Sequence, residues 1–145
     1  MQRKMNRSKQ AGFTLIEVMV VIVILGVLAA LIVPNVMGRG EKAKVDTTKI
    51  TLKGVAGALD QYKLDNGHFP NTQEGGLDAL VNQPANAKNW MPGGYLKGGY
   101  PKDSWENDVQ YVIPGSEGRP FDLYSFGADG QQGGDGNDAD IYYQP

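Results

Sequence analysis

No cysteine occurs among the 145 residues, so the chain can build neither a disulfide framework nor a thiolate metal site. Histidine is nearly absent as well. His68 stands alone, beside Phe69-Pro70 in a stretch that reads as a packed turn, and with no Cys or acid placed near it is read as structural or exposed. A nucleophile elbow is missing, because Pro114-Gly115-Ser116-Glu117-Gly118 lacks the first glycine of that motif. Carboxylates abound, yet no basic or histidine partner is placed to shift one against another, and these absences argue against an enzyme. Basic charge is scarce in the body of the chain. Four of the 14 Lys and Arg residues lie in the first twelve positions and none follows Arg119. Without those twelve positions, ten basic residues face sixteen acidic ones, a net of −6 that argues against nucleic acid as the main partner.

What the chain does have is one long apolar run. Arg3, Lys4, Arg7 and Lys9 precede Gly12-Phe13-Thr14-Leu15-Ile16-Glu17, and no charge occurs from Val18 to Val33. Phe13 to Val33 is 21 residues, enough to cross a bilayer core of ~30 Å at ~1.5 Å per helical residue. A basic stretch before an apolar core suggests a secretory signal. Cleavage beyond that core is disfavoured, because apolar residues continue past Ala29 and Ala30 to Val33. The four basic residues predict a cytoplasmic N-terminus, with the rest of the chain on the other side. Glu17 is the exception in this run, since a carboxylate at the centre of a membrane helix costs roughly 2.5–3.5 kcal/mol. Lying one turn from the start, it can snorkel to the headgroups or meet a positive partner on packing against other proteins.

Pro34 removes an amide donor and, with Gly38 and Gly40 close behind, predicts a kinked or loosened helix. Gly38-x-Gly40-x-x-Ala43 imitates a dinucleotide fingerprint but has no preceding strand. The helix then turns amphipathic. Leu52, Val55, Ala56, Leu59 and Tyr62 form a stripe at spacings of three and four, while Lys49, Lys53, Asp60 and Lys63 suit the wetter sides. Asn66-Gly67 predicts its end. Thr72 is expected to cap a short helix through Leu77, Ala79, Leu80 and Val81, stopped before Pro84. Trp90, in the polar linker that follows, is read as packing. Val109, Tyr111 and Ile113 alternate, as do Phe121, Leu123 and Ser125, with 114–120 as a hairpin loop. The class expected is α+β: two or three antiparallel strands laid against the stripe of a long N-terminal helix. A rod from Phe13 to Asp65 with one end wholly apolar needs lipid or copies of itself.

The C-terminal stretch is acidic, with Asp122, Asp129, Asp135, Asp138 and Asp140 among many glycines. One reading is a disordered, solvated tail. The other is a Ca²⁺ loop, since that ion takes six to eight oxygens from carboxylates and carbonyls. The spacing does not match the EF-hand template, because Asp135-x-Asn137-x-Ala139 lacks its fifth-position ligand. Composition alone leaves both open.

The basic leader, Gly12-Phe13-Thr14-Leu15-Ile16-Glu17 and the uncharged helix together resemble the type IV prepilin signature. Pro34, Asp60-Gln61-Tyr62-Lys63-Leu64-Asp65-Asn66, Gly93-Gly94-Tyr95 and Gly127-Ala128-Asp129-Gly130 extend the resemblance over nearly the whole chain, to the major pseudopilins of type II secretion systems (the general secretion pathway protein G family). The resemblance implies a pilin-like fold with a cleaved leader over 1–12, a transmembrane and filament-core helix over 13–33 and a periplasmic globular domain over 34–145. It implies cleavage between Gly12 and Phe13 by a prepilin peptidase that also N-methylates Phe13. Glu17 would pair with the N-terminal amine of a neighbouring subunit, and the helix near Pro34 can lose helicity in filaments. It further implies Ca²⁺ held by the Asp129 and Asp140 side chains and the Phe126 and Gln131 carbonyls, with Asp138 as a further ligand; Mg²⁺, which prefers a smaller octahedron, suits the loop less well. The partners implied are copies of the chain in a helical homopolymer, minor pseudopilins, an inner-membrane assembly platform and, before assembly, lipid. The function implied is a pseudopilus subunit whose polymerisation drives folded proteins across the outer membrane. Rival readings are a type IV or DNA-uptake pilin and a membrane-anchored periplasmic binding module. Two departures stand out. Asp103-Ser104-Trp105-Glu106-Asn107 replaces the usual Asp-Pro-Trp-Gly-Asn, and Tyr142-Tyr143 replaces Gly-Asn-Trp after Ile141.

Overall fold

The computed structural model describes residues 11–145, so Arg3, Lys4, Arg7 and Lys9 of the leader lie outside the described residues. The chain divides into two compact units, Met1–Arg39 and Gly40–Pro145. A single helix, α1, is assigned over Leu15–Asn66.

In the first unit, α1 exposes its apolar side chains all round. Phe13, Leu15 and Leu31 are 84%, 80% and 69% exposed, and the window of mean hydropathy 3.1 has no buried residue. Helical backbone continues through Pro34. Proline removes one amide donor from a helix of 52 residues, and the hydrogen-bonded turns on either side carry the helix past it.

In the second unit the expected stripe is the core. Leu52, Val55, Ala56, Leu59 and Tyr62 are all at most 2% exposed, and they cluster with Leu77, Leu80, Val109, Leu123 and Ile141. Lys49, Lys53, Asp60 and Lys63 are exposed, as their positions between the stripe residues required. Burying each large aliphatic side chain contributes about 1.5–3 kcal/mol, so this face suffices to fix α1 on the domain. Beyond Gly67 the expected helix from Thr72 to Val81 is instead two 3-10 turns, Thr72–Glu74 and Gly76–Leu80. The cap is Asn71, not Thr72: its side chain accepts from the Glu74 amide while the Glu74 carboxylate accepts from the Asn71 amide. Left-handed Gly75 between the turns prevents one continuous helix. Trp90 packs edge-on against Tyr95 and donates its indole N–H to the Ala79 carbonyl at 2.7 Å.

The sheet has three antiparallel strands in the order β1 (Gln110–Val112), β2 (Asp122–Ser125), β3 (Ile141–Tyr142). Tyr111 pairs with Leu123, and Tyr124 with Tyr142. Val109, Phe121, Leu123 and Ser125 are buried, the faces that alternation assigned. The acidic C-terminal stretch is therefore not a loose tail. It leaves β2, turns and returns to the sheet as β3.

Candidate functional site

Three places carry candidate functional side chains, two of them singled out by the sequence. The first is the start of α1. Gly12 and Phe13 are exposed, with no side chain or backbone crowding Gly12 within 4 Å. Glu17 occupies the third position of the helix, where its amide donates to Thr14 Oγ1 at 3.3 Å and its carboxylate accepts weakly from the Thr14 amide at 3.5 Å. This reciprocal arrangement is a capping box. It gives the carboxylate a partner within the chain that neither sequence reading of Glu17 had named, although Thr14-x-x-Glu17 before an apolar run was its signal.

The second is the loop from Gly127 to Asp140. Its two limbs are joined by the Ala128 amide donating to the Asn137 carbonyl at 3.0 Å. Asp129 Oδ1 accepts from the Gln131 amide at 3.0 Å, and Asp140 Oδ1 accepts from the Gly133 amide at 3.1 Å. The glycines are required by close approach. A Cβ on Gly127 would lie 2.7 Å from the Ala139 carbonyl oxygen, and one on Gly134 only 2.5 Å from that of Asp138. Both also have left-handed φ, 74° and 92°. Phe126, just past the end of the central strand β2, is half-buried against Tyr124, whereas Gln131 and Asp138 are exposed. Among the described residues none of Asp129, Asp138 and Asp140 takes part in an ion pair, and no three His, Cys, Asp or Glu residues converge to hold a metal. A cation here would depend on backbone carbonyls besides carboxylates. The donor set, all hard oxygens on a backbone folded tightly by glycine, fits Ca²⁺ chemistry.

The third place was missed by sequence reasoning. His68 has an acid after all: its Nε2 lies 2.9 and 3.1 Å from the two oxygens of Glu74, which is 7% exposed. Glu74 also accepts from the Tyr62 hydroxyl and from Asn86 Nδ2. Burial pushes the Glu74 carboxyl up, but the hydrogen bonds from the Asn71 amide, His68 and Tyr62 outweigh it and leave the group below its ordinary range. The bond to Glu74 raises His68, against a smaller opposing effect of burial. Burial first, and then the Glu74 charge, push the Tyr62 phenol up to about 12. His68 lies outside any helix or strand and Glu74 ends a short 3-10 turn, which is why no periodicity disclosed the pair. Nearby, Tyr95 donates its hydroxyl to Asp65 Oδ2 at 2.9 Å and accepts from Asn66 Nδ2 and the Met91 amide, each at 3.2 Å. The Asp65-Asn66 and Gly93-Gly94-Tyr95 segments are thus parts of one structural clasp.

The family model described as "Type II secretion system (T2SS), protein G" matches residues 35–144, and that of the prokaryotic N-terminal methylation motif matches residues 7–33. The chain belongs to the type II secretion system protein G family. It is 58% identical over 140 residues to the type II secretion system core protein G of Pseudomonas aeruginosa, covering 94% of this chain and 96% of that protein. To the core protein G of Vibrio cholerae serotype O1 it is 51% identical over 135 residues, covering 92% of this chain and 90% of that protein. The crystal structure of the major pseudopilin from the type 2 secretion system of enterohaemorrhagic Escherichia coli is similar, with a TM-score of 0.60 and 35% identity over 75% of this chain and 93% of that one. The family is one of structural pseudopilins, and a structural subunit of the pseudopilus is what this chain is. Its long apolar helix is compatible with membrane anchoring. A pilin-like long helix on a small antiparallel sheet is the fold expected from the resemblance, and it is the fold found.

Proposed function

We propose that the chain is inserted in the inner membrane with its N-terminus cytoplasmic, cleaved between Gly12 and Phe13, N-methylated on Phe13, and polymerised through residues 13–33 into a periplasmic filament whose growth moves folded proteins outward. One observation carries this reading. Within its own unit the apolar surface of α1 from Leu15 to Val33 has no partner among the described residues, and it lies inside the stretch matched by the methylation-motif model, residues 7–33. Lipid covers such a helix before assembly, and neighbouring copies cover it afterwards.

Cleavage would create a new amine at Phe13, four residues before Glu17. A carboxylate and an ammonium from neighbouring subunits attract strongly in a low dielectric, while either alone is costly there. Glu17 would thus exchange its weak bond to the Thr14 amide for a charged partner and set the register of the filament. The prepilin peptidase, minor pseudopilins and an inner-membrane assembly platform complete the set of partners.

In the globular part, Asp129 and Asp140 with the carbonyls of Phe126 and Gln131 would hold Ca²⁺, and Asp138 is the further candidate. Bound there, the ion supplies positive charge to an acidic loop that has no cationic side chain of its own. The residues themselves already fold the loop by accepting from the Gln131 and Gly133 amides. The deciding experiment for the pathway is the intact mass of the protein extracted from membranes. Loss of residues 1–12 and gain of one methyl group are expected; an uncut leader rejects the proposal. For the loop, Asp129→Ala or chelation is expected to lower the melting temperature, and identical melting with and without Ca²⁺ removes the ion.

A further inference from the structure

The acidic loop is held from outside by a turn that carries no ligand of its own. Asp103 is 4% exposed, and its carboxylate accepts three hydrogen bonds: from the Trp105 and Asn107 amides, both at 2.9 Å, and from the Ser125 hydroxyl at 2.6 Å. Ser125, fully buried in β2, uses its one proton on Asp103 and so presents its lone pairs to the Gly127 amide at 3.1 Å. Asn107 Nδ2 donates to the Gly127 carbonyl at 3.0 Å, and Asn107 Oδ1 lies 3.0 Å from where a Cβ on Gly130 would stand. One buried carboxylate therefore fixes both polar groups of Gly127, through Ser125 on one side and Asn107 on the other.

The consequence follows from peptide planarity. The Gly127 N–H and the Phe126 C=O belong to one rigid plane and point in opposite directions, so the Ser125 bond that aims the first also aims the second. The Asn107 bond acts likewise on the next plane, whose N–H, on Ala128, ties the loop to its returning limb at Asn137. We propose that Asp103, Asn107 and Ser125 are positioning residues that orient the Phe126 carbonyl and the entry limb of the 127–140 loop for its cation. This inference rests on the reading that the loop binds Ca²⁺. None of the three touches the ion; they act through the backbone that does, as partners behind a metal's own ligands do. The turn is anchored for this task, because the Ser104 amide donates to Thr48 Oγ1 at 3.2 Å and Trp105 Nε1 donates to Glu41 Oε2 at 3.1 Å.

The test is Ca²⁺ titration calorimetry on the mature full-length chain in detergent, well below the melting temperature, with wild type, Ser125→Ala, Asn107→Ala and Trp90→Phe. The first two variants should bind Ca²⁺ about 10–100-fold more weakly than wild type. Trp90→Phe loses a hydrogen bond to Ala79, away from the loop, and should keep wild-type affinity. Asn107→Ala leaves the Asp103–Ser125 bond in place, so it decides the matter alone if Ser125→Ala fails to fold. Wild-type affinity in folded Asn107→Ala overturns the positioning role while leaving the ion reading standing. An equal loss in Trp90→Phe also overturns it, since general loosening would then explain the effect. Absence of any Ca²⁺ heat in wild type overturns the ion reading and this inference with it.

Discussion

Replacing Glu106 by glycine should stabilise the globular unit, although it deletes an entire side chain. Glu106 is solvent-exposed and closes the 103–107 turn, where its amide donates to the Asp103 carbonyl at 3.2 Å. Its φ of 66° is left-handed, a region that costs an L-residue roughly 1–2 kcal/mol because Cβ approaches the following carbonyl oxygen. Glycine removes that cost but returns about 0.4–1 kcal/mol of freedom to the unfolded chain. The net expectation is a gain of about 0.5–1 kcal/mol. At roughly 4–8 °C per kcal/mol for a domain near 100 residues, the midpoint should rise by about 2–8 °C. The assay is thermal unfolding of the full-length protein in detergent, followed by near-ultraviolet circular dichroism, which reports aromatic packing in the globular unit. Glu106→Ala is the control, since it deletes the same side chain and keeps the strain, and should stay within about 0.5 kcal/mol of wild type. If Glu106→Gly melts at or below the temperature of Glu106→Ala, backbone strain at this turn is refuted. The substitution also restores the glycine that the related turn sequence carries, so the departure at 106 is one the chain tolerates at a cost.

The departure at 104 should behave in the opposite way. Ser104→Pro removes the amide that donates to Thr48 Oγ1 and the hydroxyl that accepts from it, stranding a Thr48 side chain with no solvent exposure; a loss of about 1–3 kcal/mol is expected by chemical denaturation. Adding Thr48→Val should recover most of that loss, and strict additivity of the two changes would contradict the coupling. For the His68–Glu74 pair, the raised His68 value places stability that is full below pH 6.5 and lost as pH climbs through the folded value. The lowered Glu74 value places stability that is full above pH 4.5 and lost as pH falls through the folded value. The melting temperature of wild type should therefore decline above pH 6.5, and His68→Gln should flatten that decline without flattening the acid limb. Tyr62→Phe removes a buried hydroxyl bonded to Glu74 at 3.3 Å and should cost about 1–2 kcal/mol in denaturant unfolding, with an unchanged midpoint counting against Glu74 as the hub.

Periodicity disclosed what repeats, and the fold hid what does not. The stripe from Leu52 to Tyr62, the alternation around Tyr111 and Leu123 and the apolar run to Val33 were readable, because one-face burial imposes a period on a helix or strand. The 3-10 turns at 72–80 were misread as a helix because Leu77, Ala79 and Leu80 bury at helix-like spacings, while left-handed Gly75 splits the segment in two. The return of the C-terminus as β3 rests on two residues, too few to show a period. Asp129 and Asp140 could be named from the resemblance alone. Asp103, Asn107 and Ser125 could not, since they meet Gly127 only after the turn and the sheet have been assembled from segments some twenty residues apart.

The two units also answer to different physics, and this divides their variants. Within Gly40–Pro145 the aliphatic core is closed, and its buried acids Glu74 and Asp103 each accept several hydrogen bonds, so stability there is set inside one chain. In Met1–Arg39 the apolar side chains from Leu15 to Val33 are all exposed, the large ones by 45% or more. Among the described residues of this unit they build no core, so a substitution there opens no cavity. Changes such as Ile22→Ala should therefore leave the melting of the globular unit untouched and appear only in filament yield. Changes such as Leu59→Ala should cost about 2–5 kcal/mol of stability before any filament is formed. A variant at Ile22 that lowered the melting temperature as much as one at Leu59 would mean that the apolar segment is packed against its own chain, and the case for a helix completed only by its neighbours would fall.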